Sequence, residues 1–305
     1  MDKPKMIMMC GLVGSGKSTY AEKLSEKYNA NIHASDKIRE ELGDINDQSH
    51  NNKVFQILHT RIKGDLINGK NCIYDATNIN YKKRMAFLQE LNKIPCEKIC
   101  VFMATPYEEC LKNNENRDRK VPQYVVERMY RHFDVPYYYE GWNHIEVVYA
   151  NEKYKDYYGT IVDFLVRYET YNQDNSHHQL TLGRHCIEAF RYATNADGFI
   201  FGFTPIRATA LHDCGKPFCK TFKNSKGEVT KQAHYYDHEK VGSYNSFFYS
   251  THTMNPLGIA VLIRWHMQLY FIKDNEKALN KYKTLWGENL YNELQLLHRA
   301  DVNAH

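Results

Sequence analysis

An apolar hexapeptide, Lys5-Met-Ile-Met-Met-Cys10, runs directly into Gly11-Leu-Val-Gly-Ser-Gly-Lys-Ser-Thr19, and that junction leaves the first half of the chain few folds to choose from. The spacing is G-x-x-x-x-G-K-[ST], complete. Such a loop wraps consecutive backbone N–H groups around phosphate oxygens at a helix N-terminus, and it needs glycine wherever a Cβ would block the approach. Lys17 then reaches the β- and γ-phosphates of a nucleoside triphosphate and Ser18 ligands its magnesium. Gly11, Gly14, Ser15, Gly16 and Thr19 complete the cradle. The loop requires a buried strand before it and a helix after it. The hexapeptide supplies the strand and Ser18–Tyr28 the helix.

The pattern continues as strand–helix alternation. Asn31–Ala34, Cys72–Tyr74, Lys98–Ala104 and Ile145–Tyr149 read as strands, and Lys53–Ile67, Tyr81–Leu91 and Tyr107–Asn114 have helical spacing. Alternation of this kind predicts an α/β domain, a parallel sheet with flanking helices. From about Tyr168 the rhythm stops and the remainder reads as all-α, with loops near Asn172–His177, Asn195–Thr204 and Phe222–Gly227. A chain of 305 residues has room for two domains. The polar run Tyr171-Asn-Gln-Asp-Asn-Ser176 places the expected boundary near residue 170, giving domains 1–170 and 171–305.

Composition narrows the setting. A net charge of +4 and a pI of 8.4 permit an acidic or nucleic-acid substrate without requiring one. The 24 tyrosines fit core edges and interfaces better than base stacking. The eight cysteines form no C-x-x-C pair and no disulfide-scaffold spacing. Met1–Cys10 is too short for a signal peptide, and the apolar run Leu257–Ile263 falls far below the roughly 18 residues of a membrane span. The expectation is a soluble protein of a reducing, cytoplasmic compartment with no membrane association.

Asp36 follows the second strand at once, which puts it at the C-terminal edge of the sheet, where open α/β sheets bind ligands. A carboxylate there suits a general base for an attacking hydroxyl, although a helix-capping role is open to it too. Arg39, one turn on, can hold the acceptor's phosphate. Asp75 ends the third strand in Asp-Ala-Thr-Asn78, the place of a Walker-B-like acid. Arg117 and Arg119, in Asn116-Arg-Asp-Arg-Lys-Val-Pro122, form a basic lid-like segment; either could neutralise charge on a transferred phosphoryl group.

The second half holds a different set. His185 lies within a helical pattern, His212-Asp213 follows the apolar helix end Ala208–Leu211, His238 opens a helix, His266 follows Val261–Trp265, and Asp301 closes the last helix. Imidazoles and carboxylates without thiolates suit a divalent ion such as Mn2+, Ni2+, Co2+ or Fe2+ better than structural zinc. Such an ion polarises a phosphoryl oxygen and supplies hydroxide at neutral pH.

Two resemblances follow from these motifs. GLVGSGKST, SDKIR, YDATN, RDRKVP and FDVPYYYEGW, over roughly Lys5–Glu152, resemble the polynucleotide kinase branch of P-loop kinases. That resemblance implies ATP and Mg2+ as cofactors, Lys17, Ser18, Asp36, Arg39 and one of Arg117 and Arg119 as site residues, and Asp36 as base for a 5′-hydroxyl. HDCGKP and HYYDHEKVGS, within His178–Asp301, resemble the HD phosphohydrolase superfamily and in particular the HD domains of tRNA nucleotidyltransferases. It implies His185, His212, Asp213 and Asp301 as core metal ligands, with His238 and His266 completing a second metal position. His234 and His178 are lesser candidates, and Lys216 is a cation for the substrate phosphate. Only four residues follow Asp301, so little chain is left to buttress that ligand. Fusions of the two domain types heal nucleic-acid ends. The resemblance implies a 5′-hydroxyl polynucleotide kinase joined to a phosphoesterase for 2′,3′-cyclic or 3′/2′-phosphate ends. RNA or DNA strand ends and a cognate ligase would be its partners. The alternative is a small-molecule or nucleoside kinase fused to a nucleotide phosphohydrolase. Oligomeric state has no signature in the sequence.

Overall fold

The computed structural model describes residues 3–43, 51–176, 179–196, 202–251 and 255–304. It divides into two compact units. The first comprises Met1–Met129 and Pro136–Glu152, the second Tyr130–Val135 and Lys153–His305. The division falls at Glu152/Lys153 rather than near residue 170. Helix Ile161–Arg167 packs on helix Leu182–Asn195 and Tyr158 N–H donates to the Phe248 carbonyl at 2.9 Å, so the stretch before the polar run Tyr171–Ser176 belongs to the second core.

The first unit is a five-stranded parallel sheet in the order β2-β3-β1-β4-β5, with β1 Lys5–Cys10, β2 Asn31–Ala34, β3 Cys72–Asp75, β4 Glu97–Ala104 and β5 His144–Tyr149. Its helices are α1 Lys17–Tyr28, α2 Ser35–Glu41, α3 Asn51–Ile67, α4 Tyr81–Glu90, α5 Tyr107–Glu115 and most of α6 Gln123–Arg131, which runs across into the second unit. β1 sits in the middle, paired with β3 (Met6↔Cys72) and with β4 (Met6↔Lys98), so five of its six residues are buried. A strand covered on both faces reads as an unbroken apolar run, and KMIMMC is one. Ile7, Met9, Ile73, Val101 and Met103 pack there against Ala21 and Leu24 of α1. This is the fold of P-loop kinases.

The second unit is helical with one two-stranded hairpin. Its longer helices are Leu182–Asn195, Phe203–Leu211, His238–Asn245, Pro256–Trp265 and Glu276–Asn303, the last interrupted at Gly287. The hairpin, β6 Thr221–Lys223 against β7 Val229–His234, replaces the loop expected near Phe222–Gly227. Three- and six-residue strands rich in Lys, Thr and Gln carry no apolar alternation, and the pairing is local. No described helix is long and apolar enough to cross a membrane.

Candidate functional site

The end of β1 and the start of α1 build an anion cradle. Gly14 has φ +80°, and a Cβ on it would lie 2.2 Å from the Cys110 carbonyl of α5, so only glycine fits. Gly16, with φ +87°, caps α1. Lys17 Nζ spans the loop, donating to the Leu12 carbonyl at 2.6 Å. Ser18 Oγ donates to Asp75 Oδ2 at 2.8 Å, which joins the loop's serine to the acid at the end of β3 as a magnesium site requires. Burial pulls the Lys17 ammonium below its ordinary value while Asp75 works against that; burial pushes the Asp75 carboxyl up, opposed by Lys17 and Ser18.

Asp36 stands in the first turn of α2, and the helix has Ala34 at its cap with no side-chain capping bond. Its carboxylate instead meets Arg39 Nη1 at 3.1 Å and Arg119 Nη1 at 3.0 Å, with the side chain 45% exposed. Arg39 is buried, bonded through Nη2 to Asn51 at 2.7 Å, and its Nε has no acceptor among the described residues. The two lid arginines separate: Arg119 pairs with Asp36, while Arg117 acts electrostatically on both Lys17 and Asp75.

A support under this site went unread in the sequence. Arg84 of α4 and Glu140 are both buried and paired twice at 2.7 Å, and Trp142 Nε1 donates to the same carboxylate at 3.0 Å. Arg84 Nη1 also donates to the Asn78 carbonyl at 2.7 Å, and Gly11 N–H donates to the neighbouring Thr77 carbonyl at 3.1 Å. The pair thus holds the loop after Asp75 against the start of the phosphate loop.

In the second unit six side chains converge. Helix Leu182–Asn195 meets helix Glu276–Asn303 through Ala189, Ala193, Ala300 and Ala304, and side chains this small let His185 reach Asp301 at 3.0 Å. His212-Asp213 ends helix Phe203–Leu211 and lies against helix His238–Asn245, because Gly215 is there: a Cβ on it would stand 2.1 Å from the His238 carbonyl. His266 follows helix Pro256–Trp265. Asp213 stands between two groups of ligands, Oδ2 toward His212 (3.3 Å) and His185 (3.6 Å), Oδ1 toward His238 (3.3 Å) and His266 (3.8 Å).

The hydrogen bonds fix what the imidazoles offer. Nδ1 of His185, His212, His238 and His266 meets the carbonyls of Ala304, Thr209, Tyr235 and Ile263 at 2.8, 2.7, 2.7 and 2.6 Å. A carbonyl only accepts, so each Nδ1 carries a proton and each ring turns its Nε2 inward, the atom free to ligand a metal. Those nitrogens face one another at 3.1 Å (His185/His212) and 3.3 Å (His238/His266). Nitrogens that close need a proton or a metal ion between them, and with Asp301 beside the first pair and Asp213 beside the second the donor set fits divalent ions in two positions sharing Asp213.

Cys186 lies close enough to join His212 and Asp213, but burial pushes its thiol up and keeps it protonated. Tyr270, also unread in the sequence, donates to Asp301 Oδ2 at 3.0 Å; burial and then the Asp301 charge push its hydroxyl upward, which keeps the proton in place. The Ala304 carbonyl shows that the few residues after Asp301 are themselves a buttress. Lys216 is buried, 2.6 Å from Asp213 and 2.8 Å from Gln173, so it neutralises the shared carboxylate instead of waiting for a substrate phosphate. His234 sits in the hairpin, outside the three potential ligand groups, and His178 lies outside the described residues.

The family model described as an AAA domain matches residues 6–136, a span that includes the phosphate loop. A curated relative, the L-seryl-tRNA(Sec) kinase of Methanococcus maripaludis, is 27% identical over 135 residues, which cover 43% of this chain and 53% of the relative. The chain therefore spans about half the length of the curated relative it matches. Among solved structures, the Pnkp1/Rnl/Hen1 RNA repair complex is similar at 20% identity and a TM-score of 0.37, over 42% of this chain and 43% of that one. The APS kinase of Mycobacterium tuberculosis is similar at 18% identity and a TM-score of 0.37, over 48% and 90%. The family match and the curated relative support a P-loop kinase activity, and the family match ends before the histidine cluster begins.

Proposed function

We propose that the chain heals nucleic-acid ends: ATP-dependent phosphorylation of a 5′-hydroxyl in the first unit, and metal-dependent hydrolysis of a 2′,3′-cyclic or 3′/2′-phosphate end in the second. The observation that carries this reading is the ring of four inward Nε2 atoms around Asp213, since a kinase alone gives that cluster no task.

In the first unit Asp36 accepts the proton of the acceptor hydroxyl as its oxygen attacks the γ-phosphorus, and the bond to the β-phosphate oxygen breaks to release ADP. Ser18 and Asp75 would hold Mg2+, Lys17 holds the β/γ-phosphates, Arg39 takes the acceptor's phosphate and Arg117 faces charge developing on the transferred group. In the second unit His185, His212 and Asp301 would hold one divalent ion, His238 and His266 another, and Asp213 both. A divalent ion bound there supplies a polarised phosphoryl oxygen and a hydroxide nucleophile at neutral pH. The chain's own part is to fix the tautomer and orientation of each imidazole, through the carbonyls on Nδ1, and to hold Asp301 through Tyr270.

The curated relative, named for a kinase of L-seryl-tRNA(Sec), favours a second reading in which the acceptor hydroxyl is not a 5′ end. One incubation separates the readings. A 5′-OH, 2′,3′-cyclic-phosphate oligoribonucleotide with ATP and Mn2+ should gain a 5′-phosphate and lose its cyclic phosphate. An oligonucleotide whose 5′-hydroxyl stays unmodified, with phosphate passing from ATP to a different acceptor such as a seryl-tRNA, would replace the first reading by the second.

A further inference from the structure

The hairpin β6–β7 is spliced between two parts of the histidine cluster, starting eight residues after Asp213 and ending four before His238. It is tied down at its base: Ala233 N–H donates to the Asp174 carbonyl at 2.8 Å, and Asn175 Nδ2 donates to the Ala233 carbonyl at 2.9 Å. Its tip is closed by Asn224, whose Oδ1 accepts from the N–H groups of Lys226 and Glu228, both at 3.0 Å.

Charge on this element is one-sided. From Lys220 to His234 there are four lysines and one glutamate. Lys220 is neutralised by Asp174 at 2.6 Å, and Glu228 is held by Asn224 Nδ2 at 2.7 Å, not by a lysine. Lys223, Lys226 and Lys231 are exposed, and no carboxylate stands within ion-pair distance of them among the described residues. Aromatic rings accompany them. Phe222 is 43% exposed, and Tyr236, 42% exposed, stacks on His234 with centroids 5.4 Å apart and planes 7° from parallel. Unpaired cations on a braced ribbon, with partly exposed rings beside them, match a phosphate backbone whose bases are free to stack.

We propose that this hairpin grips single-stranded nucleic acid leading to the histidine cluster, so that the second unit prefers the end of a strand to a free nucleotide. The proposal rests on the phosphoesterase reading for what lies at the strand's end, but the binding it asserts is measurable without turnover. The chemistry recognised is a flexible polyanion with exposed bases, which a duplex or a membrane surface does not offer.

The test uses the full chain and an RNA of about 12 nucleotides with a fluorophore blocking its 5′ end and a plain 3′-hydroxyl, followed by anisotropy over a range of salt. The triple variant Lys223→Ala/Lys226→Ala/Lys231→Ala should bind roughly tenfold or more weakly near 0.1 M salt, and the slope of log affinity against log salt should fall by about 2, since single strands lose roughly 0.7 per phosphate contact. The pair Phe222→Ala/Tyr236→Ala should weaken binding by about fivefold or more with the slope unchanged. Both variants should hydrolyse a 2′,3′-cyclic mononucleotide at the wild-type rate. Wild-type RNA affinity or an unchanged salt slope in the triple variant overturns the proposal. So does wild-type protein that ignores the RNA but binds phosphatidylserine vesicles through these lysines. Lysine-dependent RNA binding by a wild type that leaves cyclic-phosphate ends uncut in Mn2+ upholds the grip and sinks the phosphoesterase reading instead.

Discussion

Tyr270→Phe takes one hydroxyl from the edge of the histidine cluster and leaves the ring, which packs edge-on against His298 with centroids 4.3 Å apart. The lost bond is the 3.0 Å donation to Asp301 Oδ2, from a hydroxyl whose upward shift keeps it protonated. A hydrogen bond to a charged partner contributes about 1.5–3 kcal/mol, and about 1.4 kcal/mol is a factor of ten in affinity. If that bond is what orients Asp301 toward His185 and His212, the affinity for Mn2+ at that position should fall by roughly ten- to a hundredfold, as losses behind metal ligands do. Competition against a chelating dye measures it, with circular dichroism confirming the fold. Tyr270→Ala should be worse because the packing on His298 goes as well. A Tyr270→Phe protein that binds Mn2+ within twofold of wild type would refute both the orienting role and the assignment of Asp301 as a ligand that depends on it.

Other consequences are as direct. Asp36→Asn keeps the shape and removes the proton acceptor, so ATP binding should survive while 5′-phosphorylation falls by about 10²–10⁴; near-wild-type kinase activity would exclude Asp36 as the base. Lys17→Ala should abolish phosphorylation and leave phosphoesterase activity within a few-fold, and Asp213→Ala should do the reverse, because the two centres share no residue; loss of both activities from either change in folded protein would show one coupled site. Arg84→Ala strands the buried Glu140 carboxylate and should lower stability by about 3–5 kcal/mol in a denaturant titration; a loss under about 1 kcal/mol would mean that water or a shifted side chain takes over the guanidinium's contacts.

Sequence made the phosphate loop plain because glycine positions and a strand–helix junction are local requirements. The residues of the histidine cluster were legible for a related reason: His212, Asp213, His238 and His266 stand at helix ends, where a side chain can leave the helical pattern. Long-range relations were not legible. Arg84 and Glu140 are 56 residues apart and look like two surface charges until the fold buries both. Tyr270 is one of 24 tyrosines, and only the packing of the last helix sets it against Asp301. The boundary near residue 170 followed composition, whereas the compact units follow packing, and Ile161–Arg167 packs forward. The hairpin escaped because its strands bury little apolar surface and are held by bonds to the Asp174 carbonyl and the Asn175 side chain.

The two centres are opposite in polarity, and that difference orders their chemistry. Around Gly11–Thr19 the groups presented are donors: loop N–H groups, the N-terminus of α1 and the Lys17 ammonium. Such a site suits a triphosphate directly, and Ser18 and Asp75 would hold the magnesium that accompanies it. The cluster around Asp213 presents acceptors: four inward Nε2 atoms and two carboxylates, with the single ammonium of Lys216 already spent on Asp213. A bare phosphate is repelled there and can bind only after cations do. Chelation of transition metals should therefore abolish phosphate-ester binding at the second centre, while ATP binding at the first, where Lys17 and the loop amides remain, should weaken only modestly when Mg2+ is withdrawn. Equilibrium dialysis with each ligand, before and after chelation, reads the two polarities separately. Tight phosphate binding by the metal-stripped second centre would contradict its assignment as a metal centre.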